Sequence, residues 1–597
     1  MGLKISAISS VAQASPKQIL KKASKPALIT AGALISTTAA IAAKSNANVN
    51  KVSMPVVEQK MRTKVGEILD GINLKEGQPL VVKADKSQIP FVAILAEEAY
   101  KRGASDFNLE VREPELEKMQ AKYCKEPDFA FKKKEKEYYN QKGAAYLDFN
   151  AKNDPYKASN LTNAEIYAVK KSNSVNIPTR VQEKLSAALN PAEIVDTILN
   201  LQKGQPLKIT AEREHEPNVL KVVEYAYKKG CGPIEVTYTE YGDPIGKARL
   251  KYAKEEYLKD VPSYIADAWK ERMDRHEARL FFDGEDPEGM SDVDPKRIVM
   301  RSKAISSVVS PIRNSGPESQ WNIIYAPTTM SVKSAYPDIK DPIKALETAA
   351  DDAKKINRCG ELEAHAAKLS AVAQKVNALK LDKIHFYSVD PNTKMPDGKT
   401  DLTVGLTKNA KFCAAAEKTD NGVIFLANTP TEEVFSSPDK TRTNGWVSAT
   451  LPLCLNGNLI EGIRMRFENG KAVEVYADKN QELWREHVKS AQGADMLGEV
   501  ALVAGSPIFA TGRVFNSTLL DENATCHIAI GRGFDECCEG AKDITDYKER
   551  EKYLAEHNVN SSDIHTDFMI GGPNVVVEGV TQDGKKVVLI KDNAFQI

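Results

Sequence analysis

The pattern of hydrophobic and polar positions divides the chain into three regions. From residue 58 to about 290, short apolar runs rich in β-branched residues alternate with longer stretches of helical spacing, which indicates a parallel α/β sheet. From about 310 to 375 the spacing is helical, with Asp341-Pro342 at a predicted helix start. Beyond Leu381 the runs become short and β-rich. The fold class predicted from these patterns is α/β, with a mixed, largely antiparallel α+β domain at the C-terminal end.

The first of these regions contains an internal repeat. Residues 75–82 (KEGQPLVV) recur as 202–209 (QKGQPLKI), and residues 99–104 (AYKRGA) recur as 226–231 (AYKKGC). Further along, the run that contains Leu147 has a counterpart that contains Leu280, at a slightly larger displacement. One α/β domain is therefore predicted to occur twice.

The β-rich C-terminal region contains sequences typical of β-hairpin turns. The dipeptides Asn456-Gly457, Asn469-Gly470 and Asp583-Gly584 each separate two β-rich runs, which predicts tight antiparallel turns. The predicted domains are a disordered or targeting prefix (1–57), an extra copy of the N-terminal α/β domain (58–187), a second α/β and helical domain (188–375) and a β-rich C-terminal domain (376–597).

Charge and composition narrow the functions that the chain can have. The 597 residues contain 82 Lys and Arg against 82 Asp and Glu, so no overall field favours nucleic acid or an anionic membrane surface. No acidic residue precedes Glu58, and the uncharged run 27–43 contains three threonines and a serine, which is marginal for a membrane span. We predict no nucleic-acid partner, no stable membrane insertion and a cytoplasmic location; export directed by the basic prefix is the alternative.

Candidate chemistry is concentrated in the last domain. The sequence places carboxylates and imidazoles in four short motifs, at Glu432 and Glu433, at Glu499, at Glu522 and His527, and at His565 and Asp567. The five-residue spacing of the third motif predicts Glu522 on a loop and His527 on a strand, and the i, i+2 spacing of the fourth points both side chains to one side of a strand. By contrast, His487 is assigned to a surface helix and His385 to a sheet face.

Each motif also has an interpretation without function. An adjacent Glu pair is typical of a solvated loop, and a His-x-Asp pair is typical of a local hydrogen bond. Two of the histidines, however, stand near carboxylates inside apolar segments, where ionisable groups are costly to bury unless they are paired or metal-bound. Five or six such ligands without an obligatory sulfur suit two divalent ions, which can polarise a carbonyl and deprotonate a water.

Together, the four motifs resemble those of the thermophilic-type metalloaminopeptidase family, the aminopeptidase T and aminopeptidase S group. The matching runs are 428–439 (NTPTEEVFSSPD), 497–503 (LGEVALV), 518–527 (TLLDENATCH) and 564–571 (IHTDFMIG), in the family's order. The resemblance covers residues 190 to 597 and implies metal ligands at Glu433, Glu499, Glu522, His527, His565 and Asp567. It implies that Glu499 is shared by the two ions and that Glu433 is favoured over Glu432 by register.

The resemblance also implies a reaction. A dinuclear centre, with zinc or cobalt favoured over magnesium or manganese, would release N-terminal amino acids from peptides, and a homodimer is expected. Glu432, Glu522 or a ligand acting doubly would shuttle the proton. The family places a Tyr seven residues after the histidine of the third motif, and here that position is Phe534. A weakly active or non-catalytic peptide-binding scaffold is therefore the alternative function, and a hydrolase acting on another amide is a third.

Overall fold

The structure is a computed structural model that describes residues 52–124, 129–172, 175–239, 243–455 and 457–597. The predicted prefix lies outside the described residues up to Lys51. The first helix begins at Met54, four residues before the predicted domain boundary. Among the described residues, no helix has both the length and the apolar character needed to cross a bilayer.

The described elements alternate between helices and strands in the first half of the chain and are mostly strands in the second. The helices are α1 (Met54–Gly71), α2 (Ile89–Lys101), α3 (Pro114–Tyr123), α4 (Phe131–Gln141), α5 (Pro155–Ala158), α6 (Asn163–Ser172), α7 (Thr179–Ala188), α8 (Glu216–Lys229), α9 (Pro244–Tyr252), α10 (Glu255–Lys259), α11 (Ser263–Asp274), α12 (Pro295–Ser315), α13 (Ser331–Ala335), α14 (Pro342–Ile356), α15 (Leu362–Ala378), α16 (Gln481–Val488), α17 (Pro507–Ala510), α18 (Thr518–Glu522) and α19 (Tyr547–Glu556). The strands are β1 (Leu80–Asp85), β2 (Phe107–Arg112), β3 (Ala145–Asp148), β4 (Leu207–Glu212), β5 (Ile234–Thr239), β6 (Ala278–Asp283), β7 (Trp321–Tyr325), β8 (Leu381–Val389), β9 (Pro396–Leu406), β10 (Cys413–Ala414), β11 (Ala416–Lys418), β12 (Ile424–Leu426), β13 (Asn428–Thr429), β14 (Glu433–Ser436), β15 (Pro438–Ser448), β16 (Leu453–Leu455), β17 (Asn458–Ile460), β18 (Arg464–Glu468), β19 (Lys471–Tyr476), β20 (Leu497–Val503), β21 (His527–Gly531), β22 (His565–Met569), β23 (Val575–Thr581), β24 (Lys586–Lys591) and β25 (Ala594–Phe595).

Two parallel sheets of matching order form the first half of the molecule. In the first unit (residues 54–172) the strand order is β2-β1-β3, and in the second unit (residues 179–378) β5-β4-β6 has the same order, continued by β7. The register also agrees, because Leu80 lies opposite Phe107 in the first unit and Leu207 lies opposite Ile234 in the second. The helices that follow the strands also correspond: α2 follows β1 as α8 follows β4, and α3 follows β2 as α9 follows β5.

The repeated Gly-Gln-Pro sequence has one structural role in both units. The side-chain amide of Gln78 donates to the carbonyl of Gly143 at 2.7 Å, and that of Gln205 donates to the carbonyl of His276 at 2.6 Å. In each unit, the amide oxygen of the same side chain accepts a backbone N–H three residues earlier. The glutamine therefore joins the turn before the central strand to the turn before a neighbouring strand.

The helical stretch expected over 310–375 is wrong in one segment. Residues Trp321–Tyr325 form β7, between β6 and β13 in the second sheet. The buried Asn322 interrupts the apolar character of this short run, and its side chain donates to the carbonyl of Leu426 and to Thr429 Oγ1. Helices occur on both sides of β7, and the predicted start at Asp341 is observed, since its carboxylate accepts the backbone N–H groups of the first turn of α14.

Two antiparallel sheets form most of the C-terminal domain (residues 381–597). Their orders are β10-β14-β20-β21-β22 and β19-β18-β15-β9-β8-β23-β24-β25. The hairpins predicted around Gly457, at Asn469-Gly470 and at Asp583-Gly584 join β16 to β17, β18 to β19 and β23 to β24. The predicted fold class, with parallel sheets followed by antiparallel ones, is confirmed.

The second unit and the C-terminal domain share one hydrophobic core. Leu369 and Val376 of α15 belong to the same buried cluster as Val434 and Val500 of the antiparallel sheet. In addition, β13 leaves the C-terminal domain to pair with β7 of the second unit. The helical layer of the second unit therefore supports the sheet that holds the candidate site.

Candidate metal centre

Antiparallel pairing places five of the predicted ligands on one face of a single sheet. Glu433 begins β14, Glu499 lies in β20, His527 begins β21, and His565 and Asp567 lie in β22. Side chains alternate between the two faces of a strand, so residues in register, or two apart, share a face. Glu433 is in register with Val503, four residues from Glu499, and Asp567 is in register with Ala529, which is in register with Glu499.

The side chains meet in two groups that have one carboxylate in common. His527 Nε2 lies 3.0 Å from Glu433 Oε2 and 3.9 Å from Glu499 Oε1. On the other side of Glu499, His565 Nε2 lies 3.0 Å from Glu499 Oε2 and 3.3 Å from Asp567 Oδ1. Within each group the candidate ligand atoms lie within 4.8 Å of one another. Glu499 is thus placed between two potential cation positions.

Backbone carbonyls orient both imidazoles toward the cluster. His527 Nδ1 donates to the carbonyl of Glu522 at 2.9 Å, and His565 Nδ1 donates to the carbonyl of Arg532 at 2.7 Å. A neutral imidazole that donates through Nδ1 presents the lone pair of Nε2, which is the form in which a histidine binds metal. Apart from the 3.3 Å contact with His565 Nε2, the buried Asp567 Oδ1 has no hydrogen-bond donor among the described residues, so the cluster contains an oxygen that a cation would satisfy.

The charges of the cluster strongly perturb one another. Burial raises the pKa of Glu499 to about 7, and it raises the pKa of Glu522 well above the usual range, with a further contribution from Asp567. For Asp567, burial is outweighed by the neighbouring His565, which lowers the pKa to about 2. For His527, burial is likewise outweighed, by the hydrogen bond and charge of Glu433, and the pKa is raised well above its usual value. The donor set therefore fits divalent cations, which would replace shared protons.

Glu522 stands beside the two groups rather than in either. It ends α18, a short helix where the sequence predicted a loop, and its charge interacts with Asp567 and His527. Its Oε1 accepts a long hydrogen bond of 3.4 Å from Asn523 Nδ2.

Glu432 lies on the opposite side of its strand from Glu433 and has other partners. Arg358 Nε and Nη2 each donate to one of its carboxylate oxygens at 2.8 Å, and His365 Nε2 lies 3.3 Å from Oε1. Its backbone N–H donates to Asn523 Oδ1 at 2.8 Å. This buried ion pair fixes the segment before Glu433. Sequence reasoning missed Arg358 and His365, which lie outside the four motifs. It also missed the role of Asn523, which lies within the third motif but contacts a residue 91 positions away.

Aromatic and polar contacts surround the strands that carry the cluster. The ring of Phe534 packs on the imidazole of His565, with ring centroids 4.8 Å apart, and contacts the edge of Phe435. On the other face of β22, His487 Nε2 lies 2.8 Å from Thr566 Oγ1. The assignment of His487 to the surface is therefore wrong: it is buried, and burial lowers its pKa to about 4.

Comparison with known proteins agrees with this geometry. A family model described as thermophilic metalloprotease (M29) matches residues 67–190 and again residues 190–595. The chain belongs to the M29 family. Aminopeptidase T of Thermus aquaticus is 33% identical over 407 residues, which is 67% of this chain and 95% of that protein. Aminopeptidase PepS of Streptococcus thermophilus is 30% identical over 413 residues, 68% of this chain and 96% of that protein.

A solved M29 structure shows the same fold. The structure of wild-type AmpT from Thermus thermophilus superposes with a TM-score of 0.62 at 30% sequence identity, covering 70% of this chain and 100% of that one. The predicted membership of the metalloaminopeptidase family is confirmed. As a member of a metalloprotease family, the chain depends on divalent metal, and the two groups around Glu499 are where the described residues could bind it.

The raised pKa of Glu499 predicts how metal affinity of this M29 centre depends on pH. Below about pH 7 the metal-free carboxyl is protonated, and a cation must displace that proton. Because His527 also has a raised pKa and must lose a proton to bind metal, affinity should rise with pH through 7 and continue to rise above it. The expected change is about tenfold per pH unit for each proton displaced. Calorimetry in buffers of different ionisation enthalpy would measure the released protons. Affinity that stays constant around neutral pH, without proton release, would contradict this prediction.

Proposed function

We propose that this chain is a metal-dependent aminopeptidase that releases N-terminal amino acids from peptides, with two divalent ions held by Glu433, Glu499, His527, His565 and Asp567. The observation that supports this most directly is the position of Glu499, whose two oxygens face separate histidines at 3.9 and 3.0 Å. A carboxylate in that position can bridge two ions. The aminopeptidase names of the M29 relatives supply the substrate class.

The ligand types bear on the identity of the ions. Two imidazoles and three carboxylates without a thiolate suit zinc or cobalt, whereas magnesium prefers sites made of oxygen alone. When bound, such ions supply Lewis acidity toward the scissile carbonyl and lower the pKa of an attacking water. The chain itself supplies fixed imidazole orientations and a buried setting in which these charges act at short range.

We assign the proton shuttle to Glu522. Its carboxyl lies at the edge of the cluster and, within the described residues, is engaged by one long hydrogen bond. Burial and Asp567 raise its pKa in the metal-free state, and the positive charge of bound cations would lower that pKa, so that the carboxylate could accept a proton and deliver it to the leaving amine. Glu432, the other candidate from the sequence, has both oxygens bound by Arg358 and faces away. Its role is to hold the strand that carries Glu433.

We also infer peptides, rather than nucleic acid, as the partners, because the balanced charge provides no general attraction for a polyanion. A homodimer and a cytoplasmic location remain predictions from the sequence. Light scattering of the purified protein and fractionation of cells would test them.

The main test is metal content measured together with activity on a panel of aminoacyl-anilides. Two divalent ions for each chain are expected, with amino-acid release that is lost on chelation and restored by metal. Glu499→Gln should lose metal at both positions and reduce activity by at least about 100-fold, because the shared ligand is removed. Glu486→Gln, an exposed carboxylate on α16, is the matched control. Full activity of metal-free protein would refute the proposal, and unchanged metal content in Glu499→Gln would refute the bridging role.

Replacement by glutamine should have different effects at Glu522 and at Glu432. Glu522→Gln is expected to lower kcat by about 100- to 10,000-fold with metal retained, since it removes the proton carrier alone. Glu432→Gln should instead lower the free energy of unfolding by about 1–3 kcal/mol, because Arg358 loses a charged partner. Kinetics, metal analysis and denaturant unfolding of both variants measure this. The reverse pattern would move the shuttle to Glu432.

Phe534→Tyr tests the position where the family has a hydroxyl. A donor beside the centre can stabilise a developing oxyanion, and loss of one such donor typically costs about 100- to 1000-fold in kcat. We expect the variant to raise kcat at least severalfold with little change in metal content. Phe435→Tyr adds a hydroxyl to the neighbouring ring and serves as the control. An unchanged or lower kcat in Phe534→Tyr would show that this ring only packs.

A further inference from the structure

The contact between the first and second units has the reciprocity of a two-fold axis. Helix α2 corresponds to α8 in chain order, and α3 corresponds to α9. Across the interface α2 packs on α9, while α8 packs on α3. The third contact joins α4 to α11, which are each other's counterparts. If a helix of one unit contacts a given helix of the other, their counterparts therefore contact each other as well. This reciprocity defines an isologous interface.

Individual residues follow the same rule along α4 and α11. Residues of the two helices correspond at a displacement of 133, as Ala145 and Ala278 do at the starts of the strands that follow them. Lys134 corresponds to Asp267, and these two form an ion pair at 2.8 Å, so a position meets its own counterpart. In an antiparallel helix pair this occurs only where the two-fold axis passes.

The residues on either side of that point are paired in reciprocal fashion. The guanidinium of Arg272 lies over the ring of Phe131, 4.6 Å from its centroid. The counterparts of these two residues are Tyr139 and Tyr264, whose hydroxyls lie 3.3 Å apart. Next to them, Glu271 accepts the backbone N–H of Phe131 at 2.7 Å, and its counterpart Tyr138 packs against Tyr264 at a centroid distance of 5.6 Å.

From this pseudo-symmetry we infer that the first unit takes the place of a second chain: it covers a surface of α8, α9 and α11 through which two second units would otherwise associate. The inference does not rest on the proposed aminopeptidase activity. Arg272 could lie over Tyr264 of another copy as it now lies over Phe131, and Glu271 could accept the same first-turn N–H groups. Self-association would nevertheless be weaker than binding of the first unit. Asp267 would meet its own copy at the axis, and Lys254, which now pairs with Glu76, would meet Lys203. The buried guanidinium of Arg249 would also lose Asp106, whose counterpart in the second unit is Pro233.

The test compares the full chain with a chain of residues 175–597. Complete M29 relatives correspond to this shorter span, which indicates that it folds without the first unit. Light scattering at micromolar concentration should show twice as many chains in each particle as for the full-length protein. Asp267→Asn should lower the dissociation constant severalfold, because the like charges at the axis are removed. Glu271→Lys should abolish the association, because Glu271 accepts the first-turn N–H groups across the contact and its partner within its own unit is Arg275 of the same helix. Lys270→Glu, a charge reversal on an exposed part of the same helix, should not.

A folded 175–597 chain with the particle size of the full-length protein would overturn the inference, and so would a doubling that Glu271→Lys leaves unchanged. If the short chain is insoluble, a protease site inserted between α6 and α7 allows the first unit to be cut from folded full-length protein. With Lys134→Glu and Asp106→Asn together, which place a carboxylate against Asp267 and remove the buried partner of Arg249, the cut pieces should separate on dilution and the larger should pair with itself. Separation without pairing would equally overturn the inference. Circular dichroism and metal content serve as the folding controls, so failure here is distinct from failure of the proposed activity.

Discussion

The placement of several ionisable side chains on one face of a buried antiparallel sheet is the constraint on which the rest of the molecule depends. Both faces of β20 and β21 are buried, yet His527 of β21 lies 3.0 Å from Glu433 and 3.9 Å from Glu499 of β20. Charges at such distances, away from water, are tolerated only when opposite charges and hydrogen bonds compensate them. The carbonyls that hold the imidazoles, the shared protons and the metals of the M29 family are each a form of that compensation.

Support for this face comes from outside the sheet. The ion pair of Glu432 with Arg358 ties the strand segment before Glu433 to the junction of α14 and α15, and Asn523 joins the same segment to the end of α18. The core of the second unit continues without a break into the sheet. The parallel α/β unit and the antiparallel domain are therefore packed together as one unit around the centre, although they are formed by successive parts of the chain.

Local pattern was sufficient where the relevant interaction is local or repeated. The alternation of His565 and Asp567, the repeated Gly-Gln-Pro turns and the Asn-Gly and Asp-Gly hairpins follow from strand geometry and turn chemistry, and all were predictable. Other features depend on partners far along the chain. Neither the strand at Trp321–Tyr325 nor the engagement of Glu432 by Arg358 can be derived from neighbouring residues, because register and ion pairing are settled only when the elements meet. The resemblance already favoured Glu433 over Glu432, and the alternation of side chains along β14 agrees with that choice.

The paired first and second units have a consequence for how this protein can change over generations. In a symmetric dimer, one gene encodes both sides of the axis, so every substitution there appears twice and faces itself. Here two codons specify the two sides, and Lys134 and Asp267 show the result: opposite charges at a position where a symmetric assembly admits only identical residues. Because the two halves lie in one polypeptide, each side of the contact can change independently of the other. The two halves are also always present in equal amounts and meet without depending on protein concentration.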